Sequence, residues 1–232
     1  MNNKKSITGI ALTVALGGLL MGFDASVISG VIKFIEAEFE LTKIELGWAV
    51  SSLTLTATLA MMVSGPLSDR YGRRTMLRIA AVLYAISAIF SALAPNFIAL
   101  VIARMVGGLG VGASLILAPM YIAEISPAKI RGRMVSFNQL NIVIGISLAF
   151  FTNYLILVFG QSGAPWVKAL GLEIYNWRWM LGLETLPAVI YFTGLFFVPR
   201  SPRWLLMMGK TEDAITIMRK YNDPEQVEAD IQ

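Results

Sequence analysis

The sequence predicts an all-α membrane protein of six transmembrane helices, followed by a short amphipathic helix. Three observations carry that expectation. Of the 232 residues 56% are hydrophobic and only 15% are charged, where a soluble domain carries about 25% Asp, Glu, Lys and Arg. The mean hydropathy is +0.67, which leaves too little polar surface to cover a compact particle in water. The apolar residues also gather in runs of about 20 residues or more, the length at which a helix crosses about 30 Å of hydrocarbon.

Six runs meet that length. Ile7 to Ile32 holds one charge, Asp24, and Leu46 to Ser68 holds none. Ile79 to Ala123 is interrupted only by Arg104 and is too long for one crossing, so the turn signal Pro95-Asn96 divides it in two. Met134 to Phe159 is the fifth run, and Trp179 to Val198, interrupted only by Glu184, is the sixth. Beyond them Thr211, Glu212 and Asp213 open a short helix carrying Ala214, Ile215, Met218 and Tyr221, amphipathic and expected to lie under the membrane domain. A second helix start stands at Asp223-Pro224. Lys4 and Lys5 before an apolar run also suit a signal peptide, but the run is too long and five more follow.

Fourteen of the 19 basic residues fall on one side of this six-crossing path: Lys4, Lys5, Arg70, Arg73, Arg74, Arg78, Lys129, Arg131, Arg133, Arg200, Arg203, Lys210, Arg219 and Lys220. Lys33, Lys43, Lys168 and Arg178 fall on the other, and Arg104 lies within a span. The positive-inside rule makes the larger set cytoplasmic, with both termini inside the cell membrane. The +4 net charge then reflects topology, and nucleic-acid binding is not expected. Cysteine and histidine are absent, which excludes disulfides, thiol or imidazole catalysis and nearly all zinc chemistry. No nucleophile–base pair or phosphate loop stands out, so neither an enzyme nor a cofactor or metal is expected.

Ionisable residues inside a bilayer cost about 2.5 to 3.5 kcal/mol each on insertion scales, and mark transport pathways by default. Asp24 lies eight residues from Ile32, Arg104 seven from Phe97 and Glu184 seven from Trp177. At about 1.5 Å per residue all three sit about 10 to 12 Å below the outer surface, so they can meet. One arginine balances one carboxylate; the spare acid either holds a proton or lies in a water-filled cavity, and such a trio is a proton-coupling device. The alternative is a structural Asp24–Arg104 pair with Glu184 reaching outward. Gly107, Gly108, Gly110 and Gly112, with Gly17, Gly18 and Gly22, suggest close packing of the first and fourth spans.

The loops carry a series of motifs. Between spans two and three the chain reads Gly65-Pro-Leu-Ser-Asp69-Arg70-Tyr-Gly72-Arg73-Arg74, a G-x-x-x-D-R-x-G-R-R pattern that resembles the signature of the major facilitator superfamily. R-x-x-G-G-x-G-x-G from Arg104, Tyr121-Ile-Ala-Glu124, Arg131-Gly-Arg133, Trp177-Arg178-Trp179-Met180 and Pro199-Arg-Ser-Pro-Arg-Trp-Leu205 resemble its sugar porter family. The resemblance covers the whole chain as the N-terminal six-helix half of such a transporter. It implies a 3+3 inverted repeat over residues 1–199, with residues 200–232 beginning a cytoplasmic helical linker.

The resemblance further implies that Asp24 is the protonation site, that Arg104 is its partner and that Glu184 is the coupled acid of span six. Gln139 matches the glutamine that hydrogen-bonds sugar hydroxyls, with Ile142 and Ile146 on the same helical face. From the residues alone Gln139 equally fits an interhelical hydrogen bond. Gly65, Asp69, Arg70, Gly72, Arg73, Arg74, Glu124, Arg131 and Arg133 match the cytoplasmic gate, whose ion pairs hold the outward-open state. Two positions depart from the family pattern: Arg200 stands where Glu is usual, and Ile146 stands where some bacterial members carry a second glutamine.

The expected function is proton-coupled transport of a monosaccharide across the cell membrane by alternating access. A full pathway needs a C-terminal six-helix half or a second copy. The rivals are a sugar or polyol facilitator, and a non-transporting membrane protein suggested by the stop at Gln232 before any second half.

Overall fold

The computed structural model describes residues 2–221, with side chains from residue 7 onward. The helix start at Asp223-Pro224 and the side chains of Lys4 and Lys5 lie outside the described residues. All regular structure within them is helical: α1 (Asn2–Phe39), α2 (Lys43–Tyr71), α3 (Arg73–Ala92), α4 (Phe97–Ile125), α5 (Arg131–Gly160), α6 (Pro165–Ala169), α7 (Asn176–Gly182), α8 (Thr185–Phe197), α9 (Pro202–Met207) and α10 (Thr211–Tyr221). The first five spans are α1 to α5, and α7 with α8 forms the sixth.

Local chemistry sets the boundaries. Thr42 and Glu45 cap α2 reciprocally, with the Glu45 amide donating to Thr42 Oγ1 at 3.4 Å and the Thr42 amide to the Glu45 carboxylate at 2.8 Å. Asn96 of the expected turn caps α4 by accepting from the Ala99 amide at 2.9 Å. The amphipathic helix runs as read, burying Ala214, Met218 and Tyr221.

The helices overrun the apolar runs at most ends, and two differences bear on the site. Helix α1 continues seven residues past Ile32 to Phe39, because Lys33, Glu36 and Glu38 end an apolar window without ending a helix that runs on into water. The sixth span is also not one rod. Pro187 has no N–H and its ring crowds the carbonyl four residues back, and the chain turns at Leu183 and Glu184 between α7 and α8.

Glycines decide which spans pair. Gly18 and Gly22 of α1 face the backbone of α5 at Asn138 and Ile142, while Gly145 of α5 faces the α1 backbone at Leu19. Gly108 and Gly112 of α4 lie against the carbonyls of Leu53 and Ala57 on α2. Each set is a G-x-x-x-G stripe, which lets two backbones come within contact in lipid. This corrects the expected pairing of spans one and four: the stripes join α1 to α5 and α4 to α2. Equivalent helices of the two three-helix units therefore pair crosswise, as an inverted repeat requires. First and fourth spans also meet, over a smaller area, where Gly107 admits Asp24 and Gly17 faces Ser114.

The apolar interior divides into two layers. One contains Leu20, Leu53, Val111 and Ala188, and the other contains Phe23, Ala49, Leu100 and Leu181. On α4 and the sixth span the gap between layers falls at Arg104 and Glu184, and on α1 it falls between Leu20 and Phe23, next to Asp24.

A side chain at Gly108 must push α2 away, whereas a Cβ at Gly47 meets nothing within 4 Å. Gly108→Val is expected to cost about 1 to 3 kcal/mol, read as a lowered thermal midpoint in detergent. Gly47→Ala leaves the midpoint unchanged or slightly raised.

Candidate functional site

Arg104 reaches across the bundle from α4. Its Nη1 donates to Asp24 Oδ1 at 3.2 Å and its Nε to the Ala49 carbonyl at 3.1 Å. Asp24, Arg104 and Glu184 are each 2% exposed, and Glu184 lies close enough to feel the charges of both others. The three side chains read from the depth count thus converge, and Glu184 does not reach outward. Only one carboxylate oxygen in the trio has a hydrogen-bond partner on the guanidinium; Asp24 Oδ2 and Glu184 Oε1 are buried with none. With both acids ionised the trio carries one negative charge more than its single guanidinium balances.

The sequence reading missed the neighbours of this trio. A Cβ at Gly107 would stand 3.2 Å from Asp24 Oδ2 and collide with Ser87 Oγ, so glycine there gives the carboxylate its place. The hydroxyls of Tyr84 and Tyr191 gather near Ser114, and Tyr84 feels the charges of Asp24 and Glu184. All three are buried. Tyrosine in an apolar run is the signal that could have found them, since a buried phenol seeks a polar neighbour.

A second polar cluster lies at the end of the bundle that carries most of the basic residues. Arg73, 5% exposed, bridges Asp69 at 2.7 Å and Glu124 at 3.1 Å, and donates to the Ser68 carbonyl at 3.2 Å. Ser201 donates to the other oxygen of Glu124, Trp204 Nε1 donates to the Asp69 carbonyl at 2.9 Å, and Tyr121 donates to the Pro199 carbonyl at 2.7 Å. Gly72 has φ +93°, and its Cα faces the Trp204 ring, where a Cβ would stand 3.1 Å away. Both the backbone conformation and the space require glycine there.

At the opposite end Glu38 accepts from Trp177 Nε1 and from Arg178 Nη2, the latter at 2.8 Å. Arg178 also donates to the Ala92 and Ala94 carbonyls at 3.2 and 2.6 Å, tying α1, α3 and α7 together.

The chain matches known proteins over nearly its whole length. The family profile described as "Sugar (and other) transporter" matches residues 10–232. The proton:xylose symporter XylE, solved with 6-bromo-6-deoxy-D-glucose, superposes with a TM-score of 0.89 at 37% identity, covering 99% of this chain and 52% of that one. The chain belongs to the sugar porter family of the major facilitator superfamily. Among its relatives are the arabinose-proton symporter of Bacillus subtilis, 43% identical over 92% of this chain and 44% of that protein, and the galactose-proton symporter of Escherichia coli, 38% identical over 96% and 45%. The chain spans less than half the length of these relatives, and corresponds to the N-terminal half of the sugar porter fold.

The other sugar porter positions fall unequally. Gln139 is exposed on α5, and Ile142 and Ile146 are half-buried, with their backbone against Gly22 of α1. Asp69, Arg73 and Glu124 meet as expected from the motifs. Arg131 and Arg133 do not join them: they stand exposed at the start of α5 and make no ion pair among the described residues. The physical reason is that both acids are already held by Arg73. Arg70 is exposed beside the Tyr71 ring, at 5.4 Å, and Arg74 turns to the Phe196 carbonyl at 3.1 Å. A Cβ at Gly65 meets nothing within 4 Å, so no contact among the described residues requires a glycine there. A groove lined by Leu93, Leu170, Trp179 and Leu186 is apolar and lies at the opposite end, and its one charge, Arg178, is already engaged. It is unsuited to a sugar.

Removing one partner of the buried Arg73–Glu124 pair leaves the other charge uncompensated. Arg73→Ala is expected to cost about 3 to 5 kcal/mol, read by thermal unfolding. Adding Glu124→Gln should recover part of the loss, so that a double-mutant cycle shows coupling of about 1 kcal/mol or more.

Proposed function

We propose that this chain is the N-terminal half of a proton-coupled monosaccharide transporter. The observation that carries the reading is the buried trio, two acids around one guanidinium at the boundary between two apolar layers. A single proton cancels its excess charge, and alternating access gives that proton a route from one side to the other. Asp24 is the group that exchanges the proton. Arg104 holds it when ionised, and Glu184 shares the local charge balance. The relatives named as arabinose-proton and galactose-proton symporters support this assignment.

Gln139, Ile142 and Ile146 form this half's contribution to the sugar site. The amide hydrogen-bonds sugar hydroxyls, the two isoleucines give the ring an apolar wall, and a second six-helix half completes the cavity. Residues 200–232 begin the linker to that half. The basic end faces the cytoplasm, as the distribution of Lys and Arg requires, and the membrane is the cell membrane. Gly65, Asp69, Arg70, Gly72, Arg73, Arg74, Glu124, Arg131 and Arg133 form the cytoplasmic gate. Within it Asp69, Arg73 and Glu124 are the closed lock, while Arg131 and Arg133 face partners supplied from outside this chain.

In a transporter assembled from this chain and a second half, Asp24→Asn is expected to abolish uphill accumulation of sugar in vesicles while sugar exchange persists. Accumulation at the wild-type level would refute the coupling role, and absence of medium alkalinisation on sugar addition to the wild type would indicate a facilitator. Gln139→Ala should weaken apparent sugar affinity about tenfold, the loss of about 1.4 kcal/mol of hydrogen bonding. An unchanged apparent affinity removes Gln139 from the site.

A further inference from the structure

Three of the arginines at the basic end, Arg74, Arg78 and Arg200, lie around the C-terminal end of α8. Arg74 Nη2 donates to the Phe196 carbonyl at 3.1 Å and Arg78 Nη2 to the Leu195 carbonyl at 3.2 Å, so both cap the C-terminal turn of α8. Arg200, which opens the segment leading to α9, stands near enough for its charge to act on both. Two acids of this end, Asp69 and Glu124, bind Arg73, and Glu212 and Asp213 stand apart on α10. Among the described residues none of the three arginines makes an ion pair. Each guanidinium offers five N–H donors, and the Nε groups of Arg74 and Arg78 are buried with no acceptor.

We propose that Arg74, Arg78 and Arg200 bind the phosphate headgroup of an anionic phospholipid in the leaflet at the basic end. A phosphate accepts from the guanidinium nitrogens that remain accessible, in a geometry guanidinium groups match in pairs, and it relieves the mutual repulsion of three like charges. The site lies where such a headgroup would be. Below it the outer faces of α3 and α8 are apolar and exposed: Ile79 and Val82 on one, Phe196 and Phe197 on the other, Phe197 at 87% exposure. Arg78 stacks over the Phe196 ring at 4.0 Å, which places a cation directly above a surface suited to an acyl chain. A cleft no larger than one water lies between Arg74, Thr75, Arg200 and Ser201, so the headgroup sits over it and not inside it. The apolar floor favours a lipid over a soluble anion.

The test uses the 232-residue chain in detergent, given phosphatidylglycerol or phosphatidylcholine of identical acyl chains, with retained lipid counted by native mass spectrometry. Phosphatidylglycerol should be retained in preference to phosphatidylcholine. Arg200→Glu, at an exposed position, should lower that retention about fivefold or more, with helical circular dichroism unchanged, and Arg200→Lys should keep most of it. Arg78→Gln should lower it as well. Equal retention of the two lipids, or full retention in Arg200→Glu, overturns the proposal. So does complete displacement of phosphatidylglycerol by excess inorganic phosphate, which would make the site one for a small soluble anion.

Discussion

The hydrogen-bonded pair between Arg104 and Asp24 is the constraint around which the bundle is arranged. A guanidinium in hydrocarbon is tolerable only if its donors are met inside the protein, and here one goes to a carboxylate on α1 and another to a backbone carbonyl on α2. Three helices are thereby fixed at one level by a single side chain. The apolar residues sort above and below that level into separate layers, and Glu184 enters the gap from the sixth span. The pair does not satisfy the whole site. An acid with an unmet oxygen on either side of one cation is a poor way to glue helices and a good way to hold a mobile charge, since replacing such groups with packed apolar residues is often neutral or stabilising.

Close backbone contact makes the rest of the architecture possible. In lipid, apolar side chains gain little by leaving one hydrocarbon for another, so association depends on contact between backbones and on polar links. The two glycine stripes supply the first, joining α1 to α5 and α4 to α2. The links at the two ends supply the second, with Arg73 binding Asp69 and Glu124 at one and Arg178 binding Glu38 at the other. Both end links lie outside the apolar layers, where they hold helix ends without burdening the hydrocarbon interior with charge.

Much of this was legible from the residues. Spans declare themselves because hydrocarbon thickness fixes their length, and the trio could be placed by counting rise per residue from assumed span ends. The three side chains lie at one level although α1 runs on to Phe39, because charged residues past Ile32 mark where lipid stops and not where the helix does. The partners of the glycines were not legible, since a G-x-x-x-G stripe states that a backbone comes close without stating which. Nor could spacing show that Arg73 would take both acids and leave Arg131 and Arg133 exposed. That follows from three dimensions, as do the hydrogen bonds of Ser201 and Trp204 to groups more than seventy residues away.

Glu184 is carried by a knuckle in the chain and not by the shaft of a rod. Ahead of it α7 is fastened to α1 and α3 through Trp177 and Arg178, and behind it α8 is fastened to α3 through the Arg78 bond to Leu195. The residue between donates its amide to the Leu181 carbonyl and accepts from the Ala188 amide, so it is bonded to both helices and the two fastenings aim the acid jointly. Its bearing on Arg104 therefore reports on both ends of the molecule at once, and Pro187, three residues on, is what keeps the joint from being straightened into a continuous helix.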